Sequence, residues 1–207
     1  MPYSLLIFDL DGTLADSFPF FLRVHDDLAH RHGFRAIGDD DVEPLRRLTS
    51  REMLARSGLP AWRLPVVARD FIRHMHQSAP VPLFDGVVTA LLGLHQAGVR
   101  LAIVTSNSRA NVERVLGPDL LLTCAHVDCG ASIFGKAARL RRVLRTLAIA
   151  PRDSLYIGDQ TADAEAARAA GMDFGAVHWG YATPAALTAM QPAHAFDHPS
   201  QWLRLAD

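Results

Sequence analysis

The sequence predicts an α/β fold: a Rossmann-like parallel sheet with helices on both faces and a small helical insertion after the first strand. Three observations predict it. Short, continuous apolar runs are bounded by turn residues, as expected for strands that are buried on both faces. Helical stretches alternate with these runs along most of the chain. One long segment near the N-terminus has helical periodicity and no strand-like run.

Five apolar runs are the predicted strands, and they cover residues 5–8, 99–104, 120–127, 155–157 and 174–178. Four helical stretches separate or flank the later runs: GVVTALLGLHQAG, RANVERVLG, KAARLRRVLRTLAI and TADAEAARAAG. The last of these stops at Gly171, a residue type that often follows a helix because it tolerates a left-handed backbone. Strand and helix therefore alternate as in a parallel sheet.

Residues 17–82 interrupt this alternation. Their apolar residues have helical spacing, and the turn-rich stretch SAPVPLFDG marks the point where the alternation resumes. We therefore predict a helical insertion at 17–82 and an α/β core formed by 1–16 together with 83–207.

Composition excludes several classes of partner. The 207 residues are 49% hydrophobic and carry a formal net charge of −1, which gives no electrostatic reason to bind nucleic acid or an anionic membrane. The apolar runs are much shorter than the roughly 20 residues of a membrane span, and the N-terminus lacks the features of a secretion signal. We expect a cytoplasmic protein with Cys124 and Cys129 as free thiols. The sequence does not specify an oligomeric state.

The stretch SLLIFDLDGTLADS ends the first strand with two acids, Asp9 and Asp11, followed by Gly12 and Thr13. Alternating side chains put the two acids on one side, at the strand end where open α/β sheets bind ligands. Buried carboxylates without partners cost several kcal/mol, so this pair needs a cation or shared protons. Gly12 permits a tight turn close to a ligand. Solvated acids at a strand end are the alternative.

Further polar residues follow the other predicted strands. Thr105, Ser106 and Asn107 lie between a strand and a helix, where hydroxyl, amide and N–H groups bind anions or cap the helix. Asp159 follows the fourth strand and Asp163 lies one helical turn later. Lys136 begins the helix before that strand. The order of these residues favours a functional site over chance.

These motifs resemble those of the haloacid dehalogenase-like hydrolases over essentially the whole chain. DLDGT, TSN, Lys136 and GDQTAD occupy the four motif positions, and the helical insertion is similar to the small cap of that family. The phosphoglycolate phosphatase-like group is the most similar, through FGKAARLRRVL and GDQTADAEAARAAGM. Many relatives have proline after the motif lysine, where this chain has Ala137.

The resemblance implies a phosphatase that uses Mg²⁺ to hydrolyse a small phosphorylated metabolite, phosphoglycolate-like or a sugar phosphate. Asp9 would attack phosphorus and form an aspartyl-phosphate. Asp11 would protonate the leaving group and then activate water. Asp9, Asp159 and the backbone carbonyl of Asp11 would hold the metal ion.

The resemblance also implies supporting roles. Lys136 and Thr105 would stabilise the phosphoryl oxygens, and Asp163 would fix Lys136 or a metal-bound water. The residues we expect to bind substrate are Gly12, Thr13, Ser106, Asn107 and Arg47. Arg46, Arg47 and Arg51 could bind a carboxylate or second phosphate of the substrate, although an exposed charged helix face explains them as well.

Other functions stay open at this point. A phosphomutase of the beta-phosphoglucomutase type would form the same aspartyl-phosphate and pass it to a sugar. A phospho-acceptor or binding domain would keep the fold without turnover. Carbon–halogen hydrolysis is disfavoured, because it has no use for the second acid, Asp11. The stretch GASIFGKA nearly matches a P-loop, but Ala137 replaces the hydroxyl residue that binds Mg²⁺ there.

Overall fold

A computed structural model of the protein describes residues 3–48, 50–130 and 135–206. Its strands are β1 (Leu5–Phe8), β2 (Arg100–Val104), β3 (Cys124–Asp128), β4 (Ser154–Gly158), β5 (Asp173–Val177) and β6 (His194–Phe196). They form one sheet in the order β3-β2-β1-β4-β5-β6, and every neighbouring pair is parallel. The predicted α/β class with a parallel sheet is confirmed.

The helices flank this sheet. Between β1 and β2 lie α1 (Phe18–His32), α2 (Val42–Leu45), α3 (Ser50–Ser57) and α4 (Leu64–Gln77). Later come α5 (Val87–Gln96), α6 (Arg109–Thr123), α7 (Lys136–Leu147), α8 (Thr161–Ala170) and α9 (Pro184–Ala189). Short 3₁₀ helices cover Asp39–Asp41, Ala61–Arg63, Pro151–Asp153 and Pro199–Leu205. No helix within the described ranges is both long enough and apolar enough to cross a membrane.

Both faces of the sheet are buried, which explains why its strands are continuous apolar runs. On one face Leu6 and Phe8 of β1 pack into a cluster with α5, α6 and Trp202 of the last 3₁₀ helix. On the other face Leu5 and Ile7 pack with the apolar sides of α7 and α8. The central strand β1 is therefore fixed from both sides, and so is the position of the residues that follow it.

The predicted strand at 120–127 begins four residues too early. Residues 120–123 belong to α6, which continues past a kink at Gly117, where φ is +69°. Pro118 restarts the helix there, a position that proline tolerates because its missing N–H has no helical partner. The three-residue strand β6 was not predicted, because it is too short to form a distinct apolar run. β1 has the predicted bounds, and the remaining ends of the other predicted strands differ by at most one residue.

The helical segment between β1 and β2 has its own small core, in which Phe20, Val24, Leu28 and Met75 pack together from α1 and α4. The chain enters and leaves it side by side: Asp16 N–H donates to the Pro82 carbonyl at 2.9 Å, and Phe84 N–H donates to Leu14 at 2.9 Å. None of its described residues adds a strand to the sheet. The division into a cap at 17–82 and a core stays a prediction.

Candidate active site

Asp9 is the first residue after β1 and lies at the carboxyl edge of the sheet. Its backbone N–H donates to the Ile157 carbonyl at 2.9 Å, which extends the pairing of β1 with β4 by one residue. One carboxylate oxygen accepts from the Leu10 N–H at 2.8 Å, and the other contacts Lys136 Nζ at 2.7 Å. The side chain is 4% exposed. Backbone geometry and one ammonium therefore fix its direction.

Asp159 follows β4 and lies beside the turn that follows β1. Its two oxygens accept from the Thr13 hydroxyl at 3.0 Å and from the Tyr181 N–H at 2.8 Å. Two glycines make room for this side chain. A Cβ on Gly12 would lie 2.2 Å from Asp159 Oδ2, and a Cβ on Gly180 would lie 2.2 Å from Asp159 Cβ. The loops after β1, β4 and β5 approach one another closely here, so positions 12 and 180 both require glycine.

Asp163, in the first turn of α8, joins that helix to Lys136. One of its oxygens accepts from Lys136 Nζ at 2.6 Å and from the Tyr156 hydroxyl at 3.2 Å. The other accepts from the N–H groups of Asp159 and Gln160 at 3.2 and 3.0 Å. Lys136 therefore bridges Asp9 and Asp163, although Ala137 and not proline follows it.

Carboxylate oxygens of Asp9, Asp159 and Asp163 lie within 4.8 Å of one another, and all three side chains are buried. Burial raises the pKa of Asp9 and Asp159, and the neighbouring carboxylates raise it further, while Lys136 lowers the pKa of Asp9. Burial alone would lower the pKa of Lys136, but Asp163 and Asp9 hold it well above its usual value. The cluster thus holds three carboxylates, and the Lys136 ammonium contacts two of them. Such an all-oxygen donor set suits a hard divalent cation such as Mg²⁺.

Asp11 is held apart from that cluster. Asn107 Nδ2 donates to Asp11 Oδ2 at 3.0 Å. Burial raises the pKa of Asp11, and the bond from Asn107 opposes that shift. Asp9 and Asp11 therefore have different partners, although they are two residues apart.

The polar residues after β2 have distinct positions. Thr105 is fully buried, and its hydroxyl accepts from the Asn107 N–H at 3.0 Å. Ser106 is exposed. The cap of α6 is Ser108, whose hydroxyl accepts from the Asn111 N–H at 3.2 Å, so helix capping does not explain Thr105 or Asn107. The contact between Asn107 and Asp11 was not predicted.

The structure describes the surroundings of Arg46 and Arg47 in the helical segment. Arg46 donates to the carbonyls of Tyr181 and Gly180 at 3.0 and 2.9 Å, so its guanidinium contacts the loop after β5. Among the described residues, no hydrogen bond or ion pair joins the Arg47 side chain to the acids, and its substrate contact stays a prediction. The side chain of Arg51 and residues 131–134 of the P-loop-like stretch lie outside the described part.

Tyr156, Tyr181 and Gly180 were missed by the sequence analysis. Tyr181 and Gly180 belong to the stretch WGY, which follows β5 at the same sheet edge as the acids. Because all strands are parallel, the residues after every strand meet at one edge. The rule that identified Asp9, Thr105 and Asp159 could therefore have been extended to this fifth strand end.

Comparison with known proteins gives the family. The sequence model of the haloacid dehalogenase-like hydrolases matches residues 6–177. The chain is 33% identical over 201 residues to phosphoglycolate phosphatase of Synechococcus elongatus, covering 96% of this chain and 95% of that protein. It is 32% identical over 195 residues to the tyrosine-protein kinase PtkA of Mycobacterium tuberculosis, covering 86% of this chain but only 63% of that protein.

Among solved structures, the haloacid dehalogenase-like family protein SP0104 from Streptococcus pneumoniae superposes with a TM-score of 0.84 at 20% identity. The match covers 100% of this chain and 99% of that one, and it establishes the shared fold. Together with the match over residues 6–177, these similarities show that the chain belongs to the haloacid dehalogenase-like hydrolase family, as a phosphatase of the group similar to phosphoglycolate phosphatases.

Proposed function

We propose that the protein is a Mg²⁺-dependent phosphatase that hydrolyses a small phosphorylated metabolite through an aspartyl-phosphate on Asp9. The observation that carries the proposal is the buried cluster of Asp9, Asp159 and Asp163, in which the Lys136 ammonium contacts Asp9 and Asp163. The similarity to a protein named phosphoglycolate phosphatase supports a small anionic substrate, either phosphoglycolate-like or a sugar phosphate.

The proposed metal ligands are Asp9, Asp159 and the backbone carbonyl of Asp11. A bound Mg²⁺ would supply positive charge that offsets the repulsion between an anionic phosphate and the carboxylate of Asp9. Lys136, which contacts Asp9, would add to that charge, and Asp163 holds its ammonium in place. Asp9 needs no general base, because an aspartate is nucleophilic in its ionised form.

The reaction divides between two acids. In the first half, an oxygen of Asp9 attacks phosphorus, the bond to the leaving oxygen breaks, and Asp11 gives its proton to that oxygen. In the second half, Asp11 takes a proton from a water molecule, whose oxygen attacks the aspartyl-phosphate and releases phosphate. The hydrogen bond from Asn107 to Asp11 supports this division, because Asp11 then has a partner of its own outside the carboxylate cluster.

Substrate binding is proposed for Gly12, Thr13, Thr105, Ser106 and Asn107 around the phosphate, and for Arg47 on the rest of the metabolite. The Asn107 N–H donates to the Thr105 hydroxyl at 3.0 Å, so a phosphoryl oxygen bound at that N–H would replace this contact. The N–H groups at the start of α6 lie directly behind these residues and favour an anion.

Asp9→Asn tests the nucleophile, with an aryl phosphate and phosphoglycolate as substrates. We expect kcat to fall by about 10³-fold or more, because the amide cannot form the acyl-phosphate. Asp153→Asn is the matched control, since it changes an acid just before the opposite end of β4 and should keep full activity. Circular dichroism checks that both variants fold. An active Asp9→Asn enzyme would contradict the proposal.

Chelation tests the need for a metal ion, and product analysis tests whether the reaction is hydrolysis. EDTA should abolish activity and Mg²⁺ should restore it, whereas activity that persists after chelation would exclude the metal. Release of inorganic phosphate in step with substrate loss indicates hydrolysis. Transfer of the phosphoryl group to a sugar would indicate a mutase instead, and stable label on Asp9 without turnover would indicate a phospho-acceptor domain.

A further inference from the structure

Arg46, at the end of α2, joins the helical segment to the loop after β5 through its side chain. Its Nη2 donates to the Gly180 carbonyl at 2.9 Å and its Nε donates to the Tyr181 carbonyl at 3.0 Å. Its Nη1 contacts Glu43 Oε1 at 3.1 Å, and the side chain is 23% exposed. One guanidinium thus binds two consecutive carbonyls of the loop and one acid of its own helix.

The Gly180 carbonyl and the Tyr181 N–H belong to a single peptide unit. That N–H donates to Asp159 Oδ2 at 2.8 Å. Because a trans peptide is planar, its carbonyl and its N–H point in opposite directions. The Arg46 guanidinium and the Asp159 carboxylate therefore bind the two ends of one rigid dipole. Hydrogen bonds in such a chain polarise one another, so the positive charge at the carbonyl strengthens the N–H as a donor.

This peptide needs a partner on its carbonyl side. Gly180 has no Cβ, and one placed there would lie 2.2 Å from Asp159 Cβ and 2.5 Å from the Gly12 carbonyl oxygen. The close packing requires glycine, but glycine also gives the backbone more conformational freedom. A rotated peptide would turn its carbonyl oxygen toward the Asp159 carboxylate, and the two bonds from Arg46 oppose that rotation.

We propose that Arg46 is a positioning residue, which acts through the peptide between Gly180 and Tyr181 to hold Asp159 in the orientation that accepts a divalent cation. This inference rests on the proposed function, in which Asp159 is a ligand of Mg²⁺. The helical segment thereby contributes to a metal site that it does not contact. The Mg²⁺ affinity of the protein should then depend on Arg46, although Arg46 contacts neither the ion nor the substrate.

The side chain of Arg46 can be removed while one link between the helical segment and the loop is kept. The Thr183 N–H donates to the backbone carbonyl of residue 46 at 3.1 Å, and this contact does not depend on the side chain. Arg46→Ala therefore removes the guanidinium and keeps that link. Arg46→Lys is the milder variant, because an ammonium can still donate to one of the two carbonyls.

The test measures Mg²⁺ binding without using activity. Urea unfolding is followed in EDTA and at rising MgCl₂ concentrations, at equal ionic strength, and the gain in stability gives Kd for Mg²⁺. We expect Arg46→Ala to raise this Kd about tenfold, at the low end of the effects seen when a partner of a metal ligand is lost. Arg46→Lys should raise it less, and it carries the test if Arg46→Ala does not fold.

Arg35→Ala is the matched control. It removes another arginine of the helical segment, whose guanidinium contacts Asp41 within that segment at 3.0 Å. Its Kd for Mg²⁺ should equal that of the unaltered protein. An equal loss of affinity in Arg35→Ala would mean that any damage to the segment weakens the site, and would overturn the specific role of Arg46.

A second measurement separates positioning from substrate binding. At saturating Mg²⁺, Arg46→Ala should keep the KM of the unaltered protein for phosphoglycolate. A higher KM with an unchanged Kd for Mg²⁺ would make Arg46 a substrate-binding residue and overturn the inference.

The outcomes also separate the inference from the proposed function. If Mg²⁺ does not stabilise the unaltered protein, the proposed metal site fails and the inference fails with it. If Mg²⁺ stabilises the unaltered protein and Arg46→Ala with the same concentration dependence, only the role of Arg46 is overturned.

Discussion

Asp159 is the residue around which three loops converge. Thr13 and Tyr181 satisfy its two oxygens, while Gly12 and Gly180 leave the space that its side chain fills. These neutral donors orient the carboxylate without neutralising it. The charge of Asp159 is thus left for a cation from outside the chain, which is the arrangement expected of a metal ligand.

Gly12→Ala tests this convergence. Gly12 has φ of +75°, which costs an L-residue about 1–2 kcal/mol, and the new methyl would also overlap Asp159. Gly33→Ala is the matched control, since Gly33 has φ of +66° and nothing within 4 Å of a Cβ. We expect Gly12→Ala to lose at least about 1 kcal/mol more than Gly33→Ala in urea unfolding, and to lose phosphatase activity. Equal losses would show that Asp159 moves aside freely.

Sequence reasoning identified the charged residues of the site but few of their contacts. Asp9, Asp159 and Asp163 follow strands, and that position predicts that they meet. Lys136 begins a helix instead, and its place in the site was expected from its order among the motifs. The partner of Asp11 could not be predicted in this way, because an amide at position 107 has many possible acceptors. Tyr181 contacts Asp159 and Arg46 through its backbone, and backbone groups carry no residue-type signal.

At the scale of elements, α7 positions the ammonium of the site. Lys136 is its first residue, and Arg139 and Arg142 on the next turns bind Asp128 at the end of β3. Arg139 also donates to the Gly130 carbonyl at 2.8 Å. These contacts fix the start of α7 against the edge of the sheet. They constrain the backbone beside Lys136, at the point where many relatives have proline after the lysine.

The end of α7 gives a prediction about stability. Its cap, Ala148, has φ of +52°, whereas α1 and α8 end at Gly33 and Gly171 in the same left-handed region. Glycine adopts this conformation without the Cβ penalty, but it also loses more entropy on folding. We expect Ala148→Gly to raise the free energy of unfolding by about 0.5–1 kcal/mol. Gly171→Ala should lower it by a similar amount, because a Cβ there finds ordinary contacts.

Urea unfolding of both variants measures this difference. A destabilised Ala148→Gly protein would show that the alanine methyl contributes packing that outweighs its backbone strain.

The sequence predicted that α8 ends at a glycine, but it gave no signal for the end of α7, because alanine is not a typical residue at such a position. It predicted five strands from their apolar runs, placed the start of β3 inside α6, and missed β6, whose three residues form no pattern.

At the scale of the whole molecule, the parallel sheet explains why so many acids meet. Every strand ends at the same edge, so the residues after β1, β2, β4 and β5 share one crevice. The helical segment enters and leaves beside that crevice through the paired residues Asp16 and Pro82, and Arg46 ties it to the loop after β5. The fold thus concentrates negative charge that the chain balances only in part.

This imbalance predicts that Mg²⁺ stabilises the whole protein. An ion that binds only the folded state adds about 2.7 kcal/mol of stability when its concentration is 100 times Kd. Asp159→Asn removes one buried charge, so in EDTA we expect the variant to be more stable than the unaltered protein by roughly 1 kcal/mol or more. In Mg²⁺ the order should reverse, because the variant has lost a ligand.

Urea unfolding in EDTA and in Mg²⁺, at equal ionic strength, measures both differences. Asp153→Asn controls for loss of an acid outside the cluster and should respond to Mg²⁺ as the unaltered protein does. Equal stabilisation of Asp159→Asn and the unaltered protein by Mg²⁺ would place the ion elsewhere. A variant less stable in EDTA would mean that the hydrogen bonds from Thr13 and Tyr181 outweigh the repulsion among Asp9, Asp159 and Asp163, so that the carboxylate cluster alone would no longer require a cation.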